Sequence, residues 1–241
     1  MSSARDLLRQ STRIAVLTGA GISAESGIPT FRDNNGLWRN FRAEDLATPQ
    51  AFARDPGLVW EWYNWRRSLI ARAEPNAGHH ALVTLEQSKP GFTLITQNVD
   101  GLHARAGSRS PLLLHGDIWT LRCTRCGACV QDFSAHLETL PPVCSCGGMK
   151  RPGVVWFGES LPQDIWRQAE QAARSADLLL VIGTSALVYP AAGLIHLAQQ
   201  SGAKVIEVNA AETPVSGSVD YSLRGPSGVI LPELVSVPPT A

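Results

Sequence analysis

The chain has 241 residues, 44% hydrophobic and 17% charged, ordinary for a globular protein with room for one large α/β domain and an inserted module. Lysine plus arginine balances aspartate plus glutamate at 21 each, so no net field recruits nucleic acid or an anionic membrane, and neither is expected as a direct partner. No apolar run approaches the ~20 residues that cross a bilayer. The N-terminus runs quickly into Ile14-Ala15-Val16-Leu17, with no space for a secretory leader, so a cytoplasmic location is expected.

In chain order, Arg13–Thr18 (RIAVLT) is predicted to be a buried strand. It runs directly into Gly19-Ala20-Gly21-Ile22-Ser23-Ala24, which matches G-x-G-x-x-G/A after a strand and before an expected helix. Gly19 permits the tight turn, and Gly21 would let the backbone approach a pyrophosphate favoured by the helix N-terminus. A glycine turn without a ligand is the plain alternative. A dehydrogenase would place an acidic residue about 20 positions on, at the end of a second strand. Here that region reads PTFRDNNGLWRNFRAEDL, with no strand-like run before it, which argues against simple hydride transfer.

A stretch over 36–76, with Trp38, Trp60, Trp62 and Trp65 among many arginines, breaks the strand–helix rhythm and reads as a helical insertion. A helix is predicted over 79–88 and a strand over Phe92–Gln97, followed by Asn98, Val99 and Asp100 at the strand end where open α/β sheets bind ligands. A strand-like run at 112–114 precedes His115, whose near-neutral intrinsic pKa suits a general base. His79 and His103 read as core or surface histidines.

All five cysteines fall between Cys123 and Cys146, a clustering that suggests metal rather than disulfides. Cys123-x-x-Cys126 and Cys144-x-Cys146 supply four thiolates for a closed, structural zinc site. Cys129 is the odd one, able to replace a ligand if the second pair is too tight. Beyond lie a predicted helix over 163–175, a strand over Asp177–Gly183, a helix over 190–201 and a strand over Lys204–Asn209. The final residues, SVPPTA, read as a loose tail. The implied fold is α/β, a doubly wound Rossmann-type parallel sheet with a smaller inserted zinc-binding and helical domain. Segments 1–35, 77–117 and 159–241 are assigned to the sheet domain, and 36–76 with 118–158, the zinc-ribbon insertion, to the smaller one.

GAGIS (19–23), Pro29-Thr30-Phe31-Arg32, Gln97-Asn98-Val99-Asp100, Leu114-His115-Gly116, the paired cysteines, Val155-Trp156-Phe157-Gly158-Glu159 and Gly183-Thr184-Ser185 occur in the order seen in sirtuins, and the chain resembles that family from about 11 to 235. The resemblance implies an NAD-dependent protein-lysine deacylase, with NAD and acyl-lysine meeting between the two domains and one structural zinc in the smaller. In the family the acyl oxygen attacks the nicotinamide ribose carbon, nicotinamide departs, and a histidine acts as base. Deacylated lysine and O-acyl-ADP-ribose result.

It further implies catalytic roles for His115 and Asn98. Asp100 would hold the nicotinamide carboxamide, Asn98 and Gln97 would orient ribose and water, and Phe31 and Arg32 would cover the nicotinamide side. Gly183, Thr184 and Ser185 would hold phosphate or ribose, Asn209 the adenosine ribose, and Ser227 would lie near adenine. Ala20, Ser23, Trp38, Val99, Ala210 and Ala211 complete the expected NAD contacts. Val155, Phe157, Gly158 and Glu159 would pair with the substrate peptide as an added strand. Tyr63 and Arg66, three apart on a helix, share a face and resemble the sirtuin branch that removes succinyl, malonyl and glutaryl groups. Ala47 also matches that branch by leaving room for a longer chain. Three readings compete: a deacetylase without acidic-acyl preference, an NAD-dependent dehydrogenase, and a non-catalytic ADP-ribose-binding zinc module. ADP-ribosyl transfer is a family side activity compatible with the sequence.

Overall fold

The computed structural model describes residues 1–30, 39 and 41–236. Helix α1 (Ser2–Gln10) precedes β1 (Arg13–Thr18), which ends in a 3-10 turn over Ala20–Ser26. Three helices follow, α2 (Ala43–Leu46), α3 (Pro49–Arg54) and α4 (Pro56–Arg72). Then come α5 (Ala77–Ser88), β2 (Gly91–Thr96), α6 (Leu102–Ala106) and β3 (Leu112–Leu113). The cysteine region forms β4 (Gly116–Cys123), β5 (Cys129–Gln131) and β6 (Lys150–Val154). The chain closes with α7 (Gln163–Ser175), β7 (Leu178–Ile182), α8 (Gly193–Gln200), β8 (Lys204–Asn209), β9 (Tyr221–Arg224) and α9 (Ser227–Val235).

The four long strands expected from apolar runs are present, with ends shifted by one residue at most. The expected helix after the glycine loop is instead the short 3-10 turn. Gly27, at φ 81°, stops it after seven residues, its N–H donating back to Ala24.

Six parallel strands form one sheet in the order β3-β2-β1-β7-β8-β9. The chain leaves β1 towards one edge and returns at β7 towards the other, so the order reverses between them and opens a crevice at their carboxyl ends. Alternation along β1 shows why its whole apolar run is needed. Ile14 and Val16 pack with α1, α5 and α9 through Ala4, Leu8, Leu82, Leu85 and Leu231, while Ala15 and Leu17 face Ala169, Ala173, Leu194 and Ala198 of α7 and α8. Both faces of the sheet are therefore dry.

A second, antiparallel sheet has the order β5-β4-β6. Helices α2, α3 and α4 share its apolar cluster through Leu46, Phe52, Trp60, Trp62, Tyr63, Ile118, Trp119 and Trp156. Helix α4 begins at Asp55, whose carboxylate accepts the Leu58 N–H, with Pro56 at the first helical position. Trp60, Asn64 and Arg67, spaced four and three apart, place one face of α4 against the cysteine region. The Trp60 indole N–H donates to the Lys150 carbonyl at 2.8 Å, and the Asn64 amide exchanges two bonds with the Leu137 backbone. The Arg67 side chain, 0% exposed, donates to the carbonyls of Ile118, Asp132 and Ser134 and pairs with the Asp132 carboxylate at 2.7 Å.

Candidate active site and cysteine cluster

At the point of strand reversal two glycine loops touch. A Cβ on Gly21 would lie 2.7 Å from the Gly183 Cα, one on Gly19 2.8 Å from the Thr184 Cα, and Gly183 itself sits at φ 58°. Side chains are excluded there by backbone contact. The Gly21 N–H donates to the Gly183 carbonyl at 2.7 Å. Gly21 is therefore needed for the approach of the second loop, a packing role its motif does not announce. The crevice formed by the two loops still fits a dinucleotide phosphate beside a helical turn's N-terminus.

Gln97, Asn98 and Asp100 follow the end of β2 on one side of this crevice. The Gln97 amide donates to the Thr184 hydroxyl at 2.9 Å, linking the two strand ends. Asn98 and Asp100 are buried and converge on the fully buried Ser23. The Ser23 hydroxyl donates to Asp100 at 2.8 Å and accepts the Asn98 amide at 3.2 Å. Asp100 also accepts the Leu102 N–H at 2.8 Å, starting α6, and burial is the main cause of its raised pKa. Its backbone carbonyl accepts the Trp119 indole, and the Val99 carbonyl accepts the Ile118 N–H, so the loop is fastened to β4.

His79, read from the sequence as a bland histidine, belongs to this cluster. Its Nδ1 accepts the Asn76 N–H at 3.2 Å, so its proton sits on Nε2, which faces the Ser23 hydroxyl at 3.4 Å. Burial pulls its pKa down to about 4. A histidine three residues into a helix carries no such signal in its spacing. His103 keeps the core reading: it is buried, with Nε2 at 3.0 Å from the Thr18 hydroxyl.

His115 stands between β3 and β4, half-buried. Its Nδ1 lies 2.9 Å from the Gln97 carbonyl. A carbonyl only accepts, so Nδ1 carries the proton and Nε2 presents a lone pair. Burial lowers the pKa, against the opposing pull of that carbonyl, and keeps the ring neutral and able to accept a proton near pH 7. The His115 carbonyl in turn accepts the Val155 N–H at 2.8 Å.

The segment expected to receive peptide is more heavily used than its sequence suggests. The Phe157 N–H donates to the Ala47 carbonyl at 2.9 Å and the Trp156 N–H to Glu159 at 2.8 Å. The Glu159 carboxylate pairs with Arg151 at 2.5 and 2.8 Å. The Glu159 side chain thus closes the loop on itself. Gly158, at φ 86°, makes the turn, and the Phe157 side chain is 45% exposed.

Tyr63 and Arg66 lie three apart on the same helix, α4. Tyr63 is buried, its hydroxyl accepts the Trp156 indole N–H at 2.9 Å, and burial pushes its pKa up to about 12. The Arg66 guanidinium carbon lies 5.3 Å from the centre of the Trp62 ring. Burial pulls its pKa down, while Tyr63 and Asp100 act the other way. Ala47, buried, belongs to the same apolar cluster as Tyr63.

On the far edge of the crevice, the Asn209 amide donates to the Thr184 carbonyl at 2.7 Å, with exposed Ala210 and Ala211 beyond it. The Ser185 hydroxyl accepts the Leu187 N–H. Ser227 is buried at the start of α9, whose next residue donates its N–H to Glu25 of the 3-10 turn. Phe31, Arg32 and Trp38 lie outside the described residues.

Cys123, Cys126, Cys144 and Cys146 bring their sulfurs within 4.8 Å of one another. Two of the separations are 3.6 and 3.8 Å. Thiolates about 2.3 Å from a tetrahedral zinc lie roughly 3.8 Å apart, so the four fit a closed structural site. The one-residue spacing of the second pair is accommodated. Cys129 is exposed and outside the cluster, its thiol 3.5 Å from the Gly127 carbonyl.

Residues 19–190 match the model of the Sir2 family. An NAD-dependent protein deacylase of Aquifex aeolicus (strain VF5) is 56% identical over 216 residues, covering 89% of this chain and 90% of that one. The crystal structure of a Sir2 homolog–NAD complex superposes with a TM-score of 0.93 at 48% identity, over 98% of this chain and 92% of that one. A Sir2–p53 peptide–NAD+ structure gives 0.87 at 32% identity, over 97% and 96%.

Proposed function

The chain belongs to the Sir2 family, and from that premise we infer that it is an NAD-dependent protein-lysine deacylase with a preference for acidic acyl groups, yielding deacylated lysine and O-acyl-ADP-ribose. The observation that carries the catalytic reading is the neutral His115 ring, with Nδ1–H held by the Gln97 carbonyl and Nε2 left to accept a proton.

Gly19, Ala20, Gly21, Gly183, Thr184 and Ser185 would cradle the phosphates of NAD, and Asn209, Ala210, Ala211 and Ser227 its adenosine. Bound NAD supplies an electrophilic ribose carbon that receives the acyl oxygen as nicotinamide leaves. His115 accepts the proton of a ribose hydroxyl at Nε2. Asp100 and Asn98, locked by Ser23, present a preorganised carboxylate and amide to the nicotinamide half of the crevice. The substrate backbone pairs beside Val155, Phe157, Gly158 and Glu159. Because the N–H groups of 155, 156 and 157 are used within the chain, its own donors meet this segment's carbonyls. Cytoplasmic location and a two-domain division at 36–76 and 118–158 belong to the same proposal.

The acidic-acyl preference rests on Tyr63 and Arg66. Tyr63 keeps its proton, and a desolvated guanidinium beside it offers charge-assisted hydrogen bonds to a carboxylate. A site built around that charge disfavours a neutral acetyl group. The test is kcat/KM by mass spectrometry over succinyl-, malonyl-, glutaryl- and acetyl-lysine peptides with NAD. Succinyl is expected to exceed acetyl by at least about tenfold, the scale of one charge-assisted hydrogen bond. Equal rates would remove the acidic preference and leave a general deacylase.

A further inference from the structure

Trp156 sits between two residues expected to face peptide, yet its side chain is only 3% exposed and turns into the small lobe. Its indole N–H donates to the Tyr63 hydroxyl at 2.9 Å, in a buried contact. A tyrosine hydroxyl has one proton and acceptor lone pairs. Once a lone pair receives the indole, the proton has to point elsewhere.

The indole is itself held on every side. The Arg151 guanidinium carbon lies 3.4 Å from the ring centroid, and Phe52 meets the ring at 5.2 Å. Arg151 is fixed by its two bonds to Glu159 and a third to the Val154 carbonyl at 2.9 Å. Glu159 accepts the backbone N–H of Trp156. The Tyr63 ring is packed edge-on against Trp62 at 4.6 Å and Trp60 at 6.2 Å. Neither ring has freedom to reorient, so the polarity of the hydroxyl is set by the framework.

We infer that Trp156 is a positioning residue for acyl selectivity: its indole N–H commits the Tyr63 hydroxyl to donate towards the distal carboxylate of the acyl chain, beside Arg66. This rests on the acidic-acyl reading above. Without the indole, the hydroxyl can turn a lone pair towards an incoming carboxylate, and part of the discrimination is lost. Arg151 and Glu159 act one step further back, holding the indole plane.

The experiment measures kcat/KM on succinyl- and acetyl-lysine peptides with NAD for wild type, Arg66→Met, Tyr63→Phe, Trp156→Phe and the Tyr63→Phe/Trp156→Phe double variant. Phenylalanine at 156 keeps a ring for Phe52 and Arg151 but has no N–H. Wild type is expected to prefer succinyl, and Arg66→Met to lose that preference. Trp156→Phe should cut the succinyl-to-acetyl ratio about fivefold, yet by less than about twofold in the Tyr63→Phe background, because no hydroxyl is left to orient. An undiminished ratio in Trp156→Phe, or the same loss without the Tyr63 hydroxyl, overturns the role of Trp156 and leaves the acidic-acyl reading standing. Absence of preference in wild type overturns both. Should Trp156→Phe fail to fold, hydrogen exchange at the indoles decides: one indole N–H must lose protection in Tyr63→Phe, and unchanged protection overturns the contact.

Discussion

The chemistry turns on which nitrogen of His115 carries the proton, and a single carbonyl decides it. Gln97 C=O takes Nδ1–H, so Nε2 is the base, and burial keeps the ring unprotonated below the ordinary histidine range. A base whose pKa is lowered stays competent until the pH falls through that lowered value. The acid limb of kcat/KM against pH is therefore expected below pH 6.5, and a limb above about 7 would contradict this environment. His115 and the Asn98–Asp100 pair were legible because the sequence ordered them after strands. His79 was not, since its part in the site depends on Ser23, 56 residues away, and nothing local marks it. The Glu159–Arg151 pair was hidden for the converse reason: the partners are near in sequence, but only the folded loop shows the carboxylate turned inward. At Gly21, any Cβ meets Gly183 backbone rather than a mobile side chain. Gly21→Ala is expected to raise KM for NAD at least about tenfold by forcing the loops apart, and an unchanged KM would deny that contact its role.

At the scale of elements, the parallel strands were readable because strands buried on both faces need continuous apolar runs. The helix expected after the glycine loop became a 3-10 turn because Gly27 closes it early. Helix α1 and strand β9 went unread. The first is short and polar, and the second has four residues whose place is fixed by pairing with β8. The cysteine region joins the site mechanically: β4 follows His115, β6 precedes Val155, and the two strands pair. One zinc per chain is expected, lost in Cys146→Ser and kept in Cys129→Ser. Chelation should abolish deacylation along with the near-ultraviolet signal of the small-lobe tryptophans, and full activity after zinc removal would contradict the coupling. Arg67 fastens α4 to the same region from a fully buried position. Arg67→Met should cost about 3–5 kcal/mol in urea unfolding, since it strands several carbonyls and the Asp132 carboxylate.

Over the whole molecule, the reversal of strand order at β1 and β7 puts one crevice where both glycine loops, the Asn98–Asp100 loop and Asn209 converge. His79 and His103 lie behind it, and burial holds their pKa values down to about 4 and about 3. An unfolded histidine titrates near 6.5, so each favours the folded state above that value, and this is lost as pH falls towards the folded values. The urea midpoint is accordingly expected to drop steadily from pH 6.5 to about 4, and a flat profile over that window would contradict the neutral buried pair.

The most direct measurement of the central claim is the stoichiometry of one reaction, followed by mass spectrometry with NAD and an acyl-lysine peptide. Nicotinamide, deacylated peptide and O-acyl-ADP-ribose should appear in equal amounts with wild-type protein. His115→Ala should still bind the peptide but lose turnover by at least about a thousandfold. Formation of NADH, or undiminished turnover without the imidazole, would contradict the account.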